Sequence, residues 1–269
     1  MTSVPRVMTI AGSDSGARAG IQADLKTFAA LGVYGTSVLT AVTSQNTQGA
    51  TDALELPASL IASQIDAIVS DIGTDAVKTG MLSSSTIIET VAEKAREHNL
   101  RTLVVDPAMV ADGEDRLIQD DALDALRTAL IPMARVVTPN APEAAVLVGR
   151  EVETLDDARD AARDIVAMGA GAAVVTGGHL EGPSTDILFD GTEFRAFTAQ
   201  RIASTGIHGA GCTLASAIAA GLAQGMPLRD AVSRAKTYVT GAIRHAFPMG
   251  RGHSPLNHFY KLWENRLPS

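Results

Sequence analysis

The sequence predicts an α/β protein in three layers, with a central, mostly parallel sheet covered by helices on both faces. Three observations lead there. Short β-branched runs alternate with segments whose apolar residues recur at helical spacing. Hydrophobic residues make up 46% of the 269, enough for one large core rather than two small ones. No internal repeat, low-complexity tract or linker divides the chain, so residues 1–269 read as a single domain.

Val7–Ile10 is the first expected strand, entering a Gly/Ser/Asp turn. From Ile21, apolar residues fall at Leu25, Phe28 and Leu31, which is helical spacing. Further strands are expected at 37–42, 76–79, 103–105, 136–138 and 172–176. Helices are expected between most of them, over 58–69, 84–98, 119–130, 141–148 and 155–168. TDILFDGTEF at 185–194 reads as a hairpin with an Asp-Gly turn. Helices over 211–224 and 228–246 close the chain. Ligands of such sheets bind beyond the carboxyl ends of the strands. The turns at 11–20, 43–49, 79–83, 106–113, 138–143, 176–184 and 204–212 are therefore where a site is expected.

Composition narrows the chemistry. The 22 basic and 30 acidic residues give a formal charge of −8, no basic run occurs, and aromatics are 4%. A nucleic-acid partner is not expected, and a small-molecule ligand is. One cysteine excludes an internal disulfide. MTSVPRVMTIAGSD does not resemble a signal peptide, and the apolar stretch at 165–175 is too short for a bilayer. A soluble, cytoplasmic protein without a membrane partner is expected. No Gly-Lys dipeptide occurs, hence no Walker A loop, and no G-x-G-x-x-G follows the first strand. Gly12, Gly16 and Gly20 recur every four residues as a turn signal, and Asp14 stands where a G-x-S-x-G elbow needs serine. His253 and His258 are read as part of a solvated loop rather than a metal pair.

Gly209-Ala210-Gly211 precedes the sole cysteine, Cys212, and a helix whose apolar face carries Leu214, Ile218 and Leu222. Glycines there let successive N–H groups converge, and the helix dipole adds positive potential, which suits an anion. A thiol in that first turn is expected to have a lowered pKa. The alternative is a small residue packed under a tight turn.

These residues carry a resemblance. HGAGCT at 208–213 resembles the signature of the hydroxymethylpyrimidine and phosphomethylpyrimidine kinases of thiamine biosynthesis, members of the ribokinase-like superfamily. AGSDSGARAGIQADLKTFAALGVYG at 11–35 resembles that family's first motif. So do TSQNTQG at 43–49, KTGML at 78–82, VVDPAMV at 104–110, TPNAPEA at 138–144 and GGHL at 177–180. Their order and spacing match from residue 7 to about 260.

The resemblance implies phosphoryl transfer from ATP, with Mg²⁺, to 4-amino-5-hydroxymethyl-2-methylpyrimidine and then to its monophosphate, in a homodimer. Ser269 is the last residue, so no fused thiamine-phosphate synthase domain is expected. The Gly209, Ala210, Gly211 and Cys212 amides would cradle the transferring group. Cys212 stands where sugar-kinase relatives have a general-base Asp, and base-like help is favoured over pure positioning. Gln45 is at the family's ring-reading position, where its amide complements an aminopyrimidine edge. Asp24 would contact the substrate hydroxyl region, with a structural bond to the 12–16 turn as the alternative. Gly12 would admit the ring, and Met81 would pack on it or serve the core. Asn140 and Glu143, in N-x-x-E spacing, suit Mg²⁺ and its waters, and equally suit a helix capping box. Asp106 would add charge toward the same magnesium or phosphates.

Some positions depart from the family. Ala17 and Arg18 replace glycines beside the ring pocket, either narrowing it or placing a cation there, and Ala108 replaces a usual valine of that pocket. Thr176 stands where lysine usually faces the ATP phosphates, Asp112 replaces another lysine, and Gly206-Ile207 alter the loop before the nest. Two other readings stay open: a vitamin B6 kinase, against which Gln45 speaks, and a degenerate relative that binds a pyrimidine without phosphorylating it.

Overall fold

The structure, a computed structural model, describes residues 4–109, 120–203 and 208–263. The first half alternates β1 (Arg6–Asp14), α1 (Gly20–Ala30), β2 (Tyr34–Asn46), β3 (Gly49–Glu55), α2 (Ala58–Asp71), β4 (Ala76–Thr79) and α3 (Ser85–Glu97). Then come β5 (Leu103–Val105), α4 (Asp120–Ala125), β6 (Val136–Val137), α5 (Ala141–Val148), α6 (Leu155–Ala167) and β7 (Ala173–Val175). The hairpin β8 (Ser184–Phe189) and β9 (Phe194–Ala199) precedes α7 (Ala210–Ala223), α8 (Leu228–Arg244) and α9 (Tyr260–Trp263).

The strands form one sheet in the order β3-β2-β1-β4-β5-β6-β7-β8-β9. From β2 to β7 every pairing is parallel, while β3, β8 and β9 pair antiparallel at the two edges. Alternation along each strand sends residues to opposite faces. Met8, Val77, Val105, Val137 and Val175 pack with α2 to α6 in one core, while Val7, Ala76, Val104, Val136 and Val174 pack with α1, α7 and α8 in the other. The three-layer α/β expectation is met, and β5 to β7 read as uninterrupted apolar runs because both faces are covered.

Differences lie where tertiary pairing extends or ends an element. β2 continues to Asn46 because its outer half pairs with β3, a strand not expected from the sequence. All seven β3 residues are exposed, so no apolar alternation marks it. β1 also runs on through Ser13, with a shift of register against β2 between Ala11 and Ser13. The helix expected over 119–130 is α4 followed by a wider, π-type turn at Leu126–Leu130 and a tight turn at Ile131–Met133, where Pro132 forbids simple continuation. The expected hairpin turns at Asp190-Gly191, with Asp190 Oδ1 accepting from the Thr192 and Glu193 amides.

The turn after β1 is built around Asp14. Its carboxylate accepts from the amides of Gly16, Arg18 and Ala19 at 2.8, 2.9 and 3.0 Å. That wrap leaves Ala17 at φ 57, a left-handed conformation that costs a residue with a Cβ. Ala17→Gly is therefore expected to stabilise the protein by about 1 kcal/mol and raise Tm by roughly 2–4 °C. Thermal unfolding followed by circular dichroism checks this, and an unchanged or lower Tm would contradict it.

Candidate active site

The carboxyl ends of β1, β4 and β5 meet α1 and the first turns of α7 around one buried cation. In β4, Lys78 shares the face of Ala76, so alternation aims it at α1 and α7. It is 0% exposed, with Nζ 3.1 Å from each Asp24 oxygen and 3.4 Å from Asp106 Oδ2. Burial works against the ammonium, but Asp24, Cys212 and Asp106 outweigh it, and the Lys78 pKa lies above its ordinary value.

Asp24 is wholly internal. Thr9 Oγ1 donates to Oδ2 at 2.6 Å and Ser216 Oγ to Oδ1 at 2.7 Å, alongside Lys78. None of these bonds is to the 12–16 turn, which was the structural alternative. A carboxylate on the covered face of α1 is tolerated because four donor contacts surround it.

Cys212 lies in the first turn of α7 with its sulfur against this cluster. Asp106, Lys78, Asp24 and the Gly20 amide are all near enough to act on the thiol's protonation. Burial pushes the thiol up to about 12; Lys78 pulls it down, while Asp106 and Asp24 push it further up. This corrects the expected lowering: desolvation and two carboxylates outweigh the helix terminus and the lysine. Asp106 is itself raised, chiefly by burial, and its Oδ2 is held by the Lys78 ion pair at 3.4 Å without accepting a hydrogen bond.

The amide nest has the anticipated form. Gly209, at φ 85, caps α7, and a Cβ there would lie 2.0 Å from the Arg18 carbonyl oxygen, so glycine is required twice over. A Cβ on Gly211 would meet nothing within 4 Å, which leaves that side of the turn open. The first helical N–H groups there have no partner within the helix. Beside them lies a cavity of about 120 Å³ lined by Thr176, Gly178, Asp186, Ala210, Gly211 and Lys236. Lys236 Nζ stands 2.8 Å from Asp186 Oδ1 and 3.0 Å from Ser184 Oγ. A lysine of α8 thus faces the cavity where Thr176 carries no charge.

On the other side, Gln45 lies within β2 rather than past a strand, and is half-buried. Thr43 Oγ1 donates to its Oε1 at 3.3 Å, and Ser15 Oγ clasps its backbone N and O at 2.7 and 2.8 Å. Met81 Cε fills the space where a Gly12 Cβ would be, 2.9 Å away, so these two residues do meet. Ala108 sits at φ 38 between buried Pro107 and Met109.

Asn140 and Glu143 form a true capping box at α5. The Glu143 amide donates to Asn140 Oδ1 at 2.8 Å, and Glu143 Oε2 accepts from the Asn140 amide at 2.9 Å. Glu143 Oε1 also accepts from the Met109 amide at 3.3 Å. Burial, then repulsion by Asp106, pushes Glu143 up to about 8. His258 is not in a solvated loop: it is 3% exposed, 3.0 Å from Thr213 Oγ1, and lowered to about 4 by burial and then Lys26. His253 is exposed. Asp112, Gly206 and Ile207 lie outside the described residues.

Sequence reasoning passed over Lys78, Ser216 and Lys236. Lys78 had a usable signal, because a lysine inside a strand covered on both faces demands paired carboxylates. Ser216 and Lys236 had none, since their partners are distant in sequence.

The phosphomethylpyrimidine kinase family profile matches residues 14–257. The chain belongs to that family. It is 50% identical over 260 residues to a hydroxymethylpyrimidine/phosphomethylpyrimidine kinase of Streptomyces coelicolor, covering 97% of this chain and 96% of that one. It is 53% identical to the thiamine biosynthesis bifunctional protein ThiED of Geobacter sulfurreducens, covering 94% of this chain and about half, 52%, of that protein. Among solved structures, the ADP complex of a Bacillus subtilis pyridoxal kinase superposes with a TM-score of 0.91 at 39% identity, over 98% of this chain and 100% of that one. The ribokinase-like fold and a kinase assignment follow from these matches.

Removing the ammonium while leaving two buried carboxylates is expected to be severe. Lys78→Met should destabilise the protein by about 3–5 kcal/mol in urea unfolding, and a loss under 1 kcal/mol would show the cluster to be hydrated. Near neutral pH, Cys212 should react with iodoacetamide at least about a hundredfold more slowly than free cysteine. Fast alkylation would mean that the sulfur is a thiolate at rest.

Proposed function

We propose that the protein transfers the γ-phosphoryl group of ATP to the hydroxymethyl group of 4-amino-5-hydroxymethyl-2-methylpyrimidine, and again to the resulting monophosphate, within thiamine biosynthesis. The observation that carries this reading is the placement of Cys212 between an open amide nest and the Lys78–Asp106 pair. Phosphoryl transfer needs positioning and charge neutralisation more than covalent chemistry. The Gly209–Cys212 segment supplies N–H groups for the moving phosphoryl. Cys212 takes the hydroxyl proton as its own thiol proton passes to Asp106, and Lys78 balances the charge.

The cavity beside the nest, with Thr176 on its wall and Lys236 within, is suited to the nucleotide. Mg²⁺ is assigned to the Asp106 side: the buried Asp106 Oδ2 is ion-paired with Lys78 at 3.4 Å but accepts no hydrogen bond, and the neighbouring Glu143, raised by burial and then by Asp106, is a group that a cation would relieve. When bound, it would neutralise phosphate charge, with Asp106, Asn140 and Glu143 as its protein environment. Gln45, with Gly12, Met81 and Ala108, is assigned to the ring. Asp24 is assigned to orienting Lys78 rather than to touching substrate.

We also place the protein in the cytoplasm, as a single domain and a homodimer. No helix among the described residues is long and apolar enough to cross a membrane. β3 is an exposed edge strand, and Leu54 and Val42 near it are 68% and 43% exposed, a surface that a second copy would cover. Pyridoxine phosphorylation is the second reading, favoured by the likeness to pyridoxal kinases.

Product analysis with ATP and the pyrimidine alcohol, its monophosphate, or pyridoxine tests the assignment. Both pyrimidine phosphates are expected to form faster than pyridoxine phosphate, and ligand binding without any ADP would show a degenerate binder. Cys212→Ala should lower kcat by at least about a hundredfold. Gln45→Leu should chiefly raise KM for the pyrimidine, and an unchanged KM would remove that role.

A further inference from the structure

Arg18 stands where relatives of this family usually have glycine, yet it neither narrows the ring pocket nor presents a free cation. Its side chain is folded inward, 2% exposed. One terminal nitrogen donates to the Asn46 carbonyl and the other to the His253 carbonyl at 3.2 Å, while Nε is buried with no hydrogen-bond partner. Among the described residues no carboxylate forms an ion pair with it. A buried guanidinium held only by carbonyls is costly, so its contacts form a joint worth tracing.

Three segments meet there. The Arg18 amide is tied to Asp14, and its carbonyl lies against Gly209, 2.0 Å from where a Cβ would be. Asn46 is the last residue of β2 and follows Gln45. Beyond it, Thr47 is gripped by the loop at 250–253: its carbonyl accepts from the His253 amide at 2.9 Å, and its Oγ1 from the Arg251 and Gly252 amides at 3.1 and 3.2 Å. The packing is tight, since a Cβ on Gly250 would fall 2.2 Å from Thr47 Oγ1 and one on Gly252 would fall 1.9 Å from the Thr47 carbonyl oxygen. β3, the partner of this end of β2, is exposed along its length and offers no core to hold the hairpin.

We propose that Arg18 is a positioning residue for the pyrimidine site, locking the end of β2 that carries Gln45 to the amide nest at Gly209 and to the 250–253 loop. The proposal rests on Gln45 being the ring reader. One residue spans both halves of the site: its backbone abuts the nest and its side chain sets the height of the hairpin. The distance between ring and phosphoryl acceptor is then governed by a side chain that touches neither. Misplacement of a bound group by an ångström is enough to cost large factors in rate or affinity.

The test uses the full-length protein as Arg18→Met, which keeps the aliphatic stem and removes the donors. Hydrogen exchange at residues 46–50 and 251–253 is expected to accelerate, with β4 and β5 unaffected. KM for the pyrimidine alcohol should rise about tenfold, with KM for ATP changed less than about twofold. Arg18→Lys, able to reach one carbonyl, should recover part of both effects. Thr47→Val, which loosens the joint from the opposite side, should give the same split more weakly, and it decides the matter if Arg18→Met does not fold. Unchanged exchange in both loosened variants, or equal rises in the two KM values, would overturn the proposal. A normal Gln45→Leu enzyme beside an impaired Arg18→Met enzyme would instead dismiss Gln45 as ring reader, and with it the purpose assigned here to the joint.

Discussion

An ammonium group shut away from water organises this protein. Lys78 reaches from the middle strand of the parallel sheet to a carboxylate on α1 and another beyond β5. An ion cannot be buried there alone, so the three elements are bound to one arrangement. Thr9 and Ser216 complete the Asp24 shell and tie in β1 and α7. The active end of the sheet is therefore held by polar bonds, while its two faces are held by separate apolar cores.

That arrangement also decides the chemistry of Cys212. At a helix N-terminus a thiol is ordinarily acidified, and here it is not, because burial, with Asp106 and Asp24, outweighs the pull of Lys78 on a half-buried sulfur. A neutral thiol beside a buried carboxylate is not a standing nucleophile. Burial, and after it the charge of Asp106, raises Glu143 as well, so buried carboxylates crowd the side to which Mg²⁺ is assigned.

The family departures take on distinct meanings in three dimensions. Ala17 occupies a left-handed position that glycine fills without cost. Arg18 is buried with its guanidinium on the Asn46 and His253 carbonyls, between the end of β2 and the C-terminal loop. Thr176 brings no charge to the cavity wall, but Arg201 and the Lys236–Asp186 ion pair line the same space.

Much of this was legible in the residues alone. Periodicity sufficed for the layered α/β fold, because covered strands and amphipathic helices write their burial into local pattern. Gly209, Gly211 and Cys212 disclosed a nest because the constraint is local: a left-handed cap and a helix start within four residues. The Asn140–Glu143 capping box was likewise legible from its spacing. Tertiary structure alone decided what depends on distance through space. β3 has no apolar face to announce it, the fate of Asp24 depends on Lys78 from 54 residues away and Ser216 from 192 away, and the Cys212 thiol takes its state from charges on three other elements. Local sequence encodes backbone shape and burial, whereas electrostatic state is set by the sum over everything the fold brings near.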